Sequence, residues 1–206
     1  MDLSQAEQMI NDLSQRCRVI AFDNRGAGRT GKPDIPYTIA MMAEDTHCLL
    51  RALGIKTANV LGISLGGRVA LQFALEHPGM VENLILASTS ARMAYHRGLL
   101  WRVSDLMVRI PAVRSVGTKY PQPYYAYVRQ REASRGFDAV GRLPGINSPT
   151  LILHGKKDRV VPYALAEAMH EGIAGSELVS FEGGHLFPFR EEAEFVDSVS
   201  AFVKPR

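Results

Sequence analysis

The sequence predicts an α/β fold, a mostly parallel sheet with helices on both faces and a short helical cap inserted into it. Two observations carry that expectation. Short apolar runs alternate along the chain with segments of helical periodicity, and the runs are apolar on both faces, as strands covered from both sides must be. Turn-forming residues gather where each run ends.

The first element is a polar, amphipathic helix over residues 5–13. Residues 18–23 (RVIAFD) read as a buried strand, ended by the turn-rich stretch 24–33. Apolar residues recur at helical spacing over 38–53 and stop at Gly54. Residues 58–63 are again a short apolar strand, followed by a helix over 65–76 that His77-Pro78-Gly79 breaks. The next strand is expected at 81–87. After an irregular middle come a strand at 150–153, a helix over 163–173, a strand at 177–181 and a last helix over 191–203. No repeat or low-complexity segment interrupts this order.

The middle, residues 90–140, breaks the alternation with helical pieces punctuated by Pro111, Gly117, Pro121, Pro123 and Gly136. Arg92, Arg97, Arg102, Arg109 and Arg114 interleave there with Trp101, Met107 and Ile110, a pattern open to a basic amphipathic surface. The plainer expectation is a small cap over the sheet edge with its arginines in water, shaping a substrate pocket.

With 206 residues, 46% hydrophobic and 22% charged, the chain suffices for one sizeable core, so one domain over 1–206 is expected. The net charge of +3 is mild and its cations are dispersed, which points away from nucleic acid and leaves small-molecule chemistry. Cys17 and Cys48 suit reduced thiols in a cytoplasmic protein, and neither belongs to a metal spacing. No stretch is long and apolar enough for a membrane span, and residues 1–16 lack a signal-peptide core.

In a parallel sheet, ligands bind beyond the carboxyl ends of the strands. Ser64, Asp158 and His185 each follow a predicted strand. A serine hydroxyl is a poor nucleophile until an imidazole takes its proton, and the imidazole needs a carboxylate to fix its tautomer. Gly62-Ile63-Ser64-Leu65-Gly66 lies between strand and helix, the place of a strained turn that holds a hydroxyl outward. Gly62 and Gly66 are expected to avoid Cβ clashes there, and Gly67 to let the helix pack closely. The Leu65 N–H, opening the helix, would face an oxyanion formed on the substrate of Ser64. The pentapeptide alone fits a serine helix cap equally well; Asp158 and His185 favour the nucleophile.

Other candidates read as structure. His154 lies in or at the end of an apolar strand and is expected to be packed or hydrogen-bonded, and His47, His77, His96 and His170 show no metal spacing. Asp23, Arg25, Gly26 and Gly28 read as a stapled turn. Asp138 is a weaker rival for the acid, because it precedes the strand at 150 and would have to reach back.

On four motifs the sequence resembles the α/β-hydrolase superfamily, in particular its small esterase, enol-lactonase and haloperoxidase-like members. They are Asp23-Asn24-Arg25-Gly26-Ala27-Gly28, Gly62-Ile63-Ser64-Leu65-Gly66-Gly67, residues 149–162 (PTLILHGKKDRVVP) and Gly183-Gly184-His185-Leu186-Phe187, and the likeness covers almost the whole chain. It implies Ser64 as nucleophile, Asp158 as acid, His185 as base and Leu65 as one oxyanion donor, with no metal or organic cofactor and a small ester or lactone as substrate. It also implies a departure. The family's strand before that of Asp23, and the His-Gly loop giving a second oxyanion donor, have no counterpart here, and that strand would lie between those ending at Asp23 and Ile63. A fragment of a longer protein is the preferred explanation; direct re-pairing of the two strands, or another chain in the gap, are the others, and an exposed edge would favour a homodimer. Beside ester or lactone hydrolysis stand two alternatives, a non-catalytic relative that binds a small ligand or partner, and perhydrolysis or carbon–carbon bond hydrolysis on the same triad.

Overall fold

The computed structural model describes residues 2–93, 106–107, 109–115 and 118–203, the Arg114 side chain excepted. Of the arginine-rich pattern, Arg97, Trp101 and Arg102 lie outside the described residues, as does His96.

Four strands, β1 (Ala58–Ile63), β2 (Val81–Ala87), β3 (Thr150–Gly155) and β4 (Glu177–Phe181), form one parallel sheet in the order β1-β2-β3-β4. Around it lie α1 (Glu7–Ser14), α2 (Ile39–Ala52), α3 (Leu65–Glu76), α4 (Pro111–Arg114), α5 (Tyr124–Arg135), α6 (Ala164–Gly172), α7 (Phe187–Arg190) and α8 (Glu192–Val203).

The strands' two-residue period divides the core. Leu84, Leu86 and Ile152 face one cluster with Met42 and Ala43 of α2, Leu71 and Phe73 of α3 and Met169 of α6. Ile85, Leu151 and Leu153 face the other, with Met9 and Leu13 of α1, Phe187 of α7 and Phe195 and Val199 of α8. Burying each such Leu, Ile or Phe is worth about 1.5–3 kcal/mol, which explains why the strands read as unbroken apolar runs.

Helix ends follow their local chemistry. Thr38 Oγ1 accepts from the Met41 N–H at 3.0 Å and opens α2. At the other end Gly54, with φ +70°, lets Ile55 N–H reach Leu50 O at 2.9 Å and Gly54 N–H reach Arg51 O at 3.0 Å, a Schellman closure.

One expected strand does not form. Residues 18–23 pair with no strand among the described residues, and the outer side of β1 is likewise unpaired, so the alternative of direct re-pairing is overturned. Ile20 and Phe22 are 38% and 36% exposed. Apolar composition fitted this segment for a strand, but a strand needs a neighbour. Asp23 instead anchors the following turn: its carboxylate accepts from the Leu3 N–H at 2.8 Å and the Arg29 N–H at 3.1 Å. Arg25 pairs with Asp45 through two contacts of 2.6 and 2.5 Å. Gln122 and Gln130 donate to Gly26 O and Arg25 O, tying the segment around α5 to this turn.

Candidate active site

The site is built at the carboxyl ends of β1, β3 and β4. Ser64 N–H donates to Ala87 O at 2.9 Å, prolonging the β1–β2 pairing by one residue, and its carbonyl accepts from Thr89 Oγ1 at 2.7 Å and Gly67 N–H at 3.1 Å. Its backbone is then forced to φ +54°, ψ −114°, a region costing a non-glycine residue about 1–3 kcal/mol. Ser64 occupies the N-cap position of α3, yet its side chain makes no capping hydrogen bond. The hydroxyl lies 3.0 Å from His185 Nε2.

The glycines divide differently from expectation. A Cβ on Gly62 would collide with the Gly66 carbonyl, and one on Gly67 with the Thr89 side chain, so both permit close approach. A Cβ on Gly66 would meet nothing within 4 Å, which corrects the expectation of a clash there. The Gly66 peptide, rather than its side-chain position, fills the tight space above Gly62.

The loops after β3 and β4 are laced together and bring the other two groups to Ser64. Lys156 N–H donates to Phe181 O and Lys157 N–H to Gly183 O, while Gly155 allows the Gly183 carbonyl within 2.5 Å of where a Cβ would stand. Ser88, also at positive φ (+47°), donates from Oγ to His185 O at 2.9 Å. His185 Nδ1 lies 2.8 Å from Asp158 Oδ2, completing a hydrogen-bonded chain from Ser64 to Asp158.

Asp158 has a fully buried side chain. Its Oδ1 accepts from the Val160 and Val161 N–H groups, each at 2.8 Å. Burial pushes its carboxyl upward, but hydrogen bonds from His154, His185 and the Val161 amide, with the charge of His185, outweigh that and hold it well below the usual carboxylate range. An ionised carboxylate only accepts, so Nδ1 of His185 carries the proton it donates, which leaves Nε2 facing the Ser64 hydroxyl.

His154, read from the sequence as a packed residue of the strand, is fully buried in β3, and it also touches this carboxylate. Its Nε2 donates to Val161 O at 2.9 Å and lies 3.3 Å from Asp158 Oδ2, while its Nδ1 is buried without a hydrogen-bond partner. Sequence reasoning missed this link and those made by Ser88 and Thr89. The only local signal was the His154-x-x-x-Asp158 spacing at the strand end.

Leu65 is the first residue of α3, so its N–H has no acceptor within the helix. Asp138 stands elsewhere: its Oδ1 accepts from the Val140 N–H at 3.0 Å, and Arg92 bridges to it through the backbone. Arg68, on the same helix as Leu65, is buried, with Nη1 on Ser134 Oγ at 2.5 Å and Nη2 on Ser90 Oγ at 2.9 Å. Burial lowers its guanidinium to about 10. It ties α3 to α5. His170 Nδ1 bonds Ser176 Oγ. The structure also gathers His47 and His77, which the sequence reading treated as structural, with Glu44, which it did not single out, one potential metal-ligating atom of each lying within 4.8 Å of the others. The signal available was Glu44-x-x-His47 on a helix; His77 is distant in sequence.

Comparison with known proteins bears on the fold and the family. The α/β hydrolase fold family matches residues 3–106, and a serine hydrolase (FSH1) family matches residues 111–196. The AB hydrolase superfamily protein YisY of Bacillus subtilis is 30% identical over 95% of this chain and 84% of its own length. A putative carbamate hydrolase, RutD of Rhizobium rhizogenes, is 29% identical over 96% of this chain and 86% of its own. Among solved structures, the enol-lactonase from Burkholderia xenovorans LB400 has 26% identity and a TM-score of 0.82, covering 98% of this chain and 86% of that one. The esterase from Exiguobacterium antarcticum has 29% identity and a TM-score of 0.85, covering 99% and 88%. No helix of the described residues is long and apolar enough to cross a membrane. The parallel sheet with its strand-end serine and the match over half the chain assign this protein to the α/β-hydrolase family, as an enzyme of the α/β-hydrolase type.

Proposed function

We propose that Ser64, His185 and Asp158 form a catalytic triad that hydrolyses a small carboxylic ester or lactone through an acyl-enzyme. The observation that carries this reading is the Ser64 hydroxyl at 3.0 Å from His185 Nε2, released from helix capping and held out by a strained backbone. The names of an enol-lactonase and an esterase among the similar structures support the substrate class.

In this reading Ser64 Oγ attacks the ester carbonyl as its proton passes to His185 Nε2, and the C–O bond to the leaving alcohol breaks as His185 returns that proton. Water then attacks the acyl-enzyme carbonyl, giving a proton to His185, and the acid leaves as Ser64 recovers its hydrogen. Asp158 keeps Nδ1 protonated and stabilises the transient imidazolium. The Leu65 N–H, at the positive end of α3, faces the developing oxyanion. Of the cap expected over 90–140, the described segment around α5, tied to the turn at Arg25 and Gly26, shapes the acyl pocket. The reaction needs neither metal nor organic cofactor.

The test is a fluorophosphonate probe, with the adduct located by mass spectrometry. An adduct on Ser64, lost in both Ser64→Ala and His185→Ala, is the expected result, followed by turnover in an ester and lactone panel. A folded protein with no adduct would replace this reading with ligand binding in an idle pocket.

A further inference from the structure

We propose that Glu44, His47 and His77 form a binding site for a divalent transition-metal ion of the zinc type, joining α2 to the end of α3. The residues come from two elements. Glu44 and His47 are three apart on α2 and share one face of it, and His77 is the C-cap of α3. Glu44 Oε1 lies 3.0 Å from His47 Nδ1, and Glu44 Oε2 lies 3.3 Å from His77 Nε2. The two imidazoles stack at 4.0 Å between centroids, and Phe73 packs on the second at 5.2 Å.

Two points lift this above an ordinary surface cluster. His77 Nε2 is buried and has no hydrogen-bond partner, although a carboxylate oxygen stands beside it. A nitrogen lone pair so placed is spare, and a metal ion would use it. In addition, tetrahedral zinc with ligands at about 2.0–2.2 Å sets its ligand atoms roughly 3.4 Å apart, and one ligand atom of each residue already lies within 4.8 Å of the others, so that rotation of the stacked rings closes the set.

Two imidazoles and one carboxylate select zinc, cobalt, nickel or copper over magnesium or calcium, with water in the remaining position. The twelve residues of α3 extend about 18 Å, so the ion would stand far from Ser64 and act on stability rather than on the chemistry. Ion binding to the folded chain alone would raise its melting temperature by mass action.

The experiment titrates chelator-treated full chain with zinc chloride by calorimetry and follows thermal unfolding in parallel. One zinc per chain and a zinc-dependent rise in Tm are expected, with affinity falling at least about tenfold in His47→Ala, His77→Ala and Glu44→Gln. Glu44 is exposed, so Glu44→Gln keeps the test decisive should a histidine variant fold poorly. The Cys17→Ser/Cys48→Ser double variant should bind as the parent does. Absence of binding at micromolar zinc overturns the proposal, as does unchanged affinity in the histidine and glutamate variants. Loss of binding in the double serine variant alone would assign the metal to the thiols and overturn it equally.

Discussion

His154 and His185 converge on one atom: their ring nitrogens lie 3.3 and 2.8 Å from Asp158 Oδ2. The carboxylate is therefore aimed from behind by a buried imidazole as well as gripped at Oδ1 by two amides. Replacing His154 with Phe removes that second donor and leaves Val161 O without its partner. Stability should fall by about 1–3 kcal/mol, the cost of an unsatisfied buried acceptor. If His154 also positions the acid, kcat for a chromogenic ester should drop roughly tenfold to a hundredfold with KM nearly unchanged. His154→Gln, which restores an N–H donor, should recover part of kcat. A lower Tm with wild-type kcat in His154→Phe would reduce His154 to packing.

Asp158 also gives stability a defined acid dependence. Its folded-state carboxyl is depressed, because the hydrogen bonds and the His185 charge outweigh burial. A depressed carboxyl stabilises the fold fully above its unfolded value of about 3.9, and that contribution fades as pH falls from there toward the folded value. Urea unfolding of wild type and Asp158→Asn should thus show a stability gap at pH 6 that narrows below about pH 4. A gap of constant size down to pH 3 would mean the carboxylate is not held as the geometry indicates.

The strands and the Ser64, Asp158, His185 order were legible because each depends on local pattern: apolar runs, then turn residues, then a reactive side chain. Residues 18–23 had the same pattern and did not become a strand, because pairing depends on a neighbour that apolar composition does not reveal. Ser88 and Thr89 were illegible for a related reason. Their hydroxyls serve the backbones of His185 and Ser64, 97 and 25 residues away, and no periodicity marks such a bond. His154 looked like core because it is core; its edge meets a carboxylate only once the loop after β3 has folded back over it.

The glycines around Ser64 separate by what a methyl would meet. Gly62→Ala drives a Cβ into the Gly66 peptide, and Gly67→Ala drives one into Thr89, whose hydroxyl holds the Ser64 carbonyl. Each should destabilise by about 1–3 kcal/mol and lower the rate of fluorophosphonate labelling. Gly66→Ala places its methyl in open space at the second position of α3, where alanine favours the helix by up to about 1 kcal/mol. Chemical denaturation should rank Gly66→Ala at or above wild type and the other two below it. A Gly66→Ala variant as damaged as Gly62→Ala would refute this division.

Strain at Ser64 can be read without any substrate. Its φ of +54° and ψ of −114° are costly for any residue with a Cβ, and glycine escapes that cost. Ser64→Ala and Ser64→Gly both remove the hydroxyl and its bond to His185, so their difference isolates the backbone. Glycine forfeits about 0.5–1 kcal/mol through the flexibility of the unfolded chain but recovers about 1–3 kcal/mol of strain. Ser64→Gly should consequently unfold at higher urea than Ser64→Ala, by about 1 kcal/mol, with both variants unreactive toward the probe. An alanine variant as stable as the glycine one would show that the turn bears no strain and that the serine is held out by its loop contacts alone.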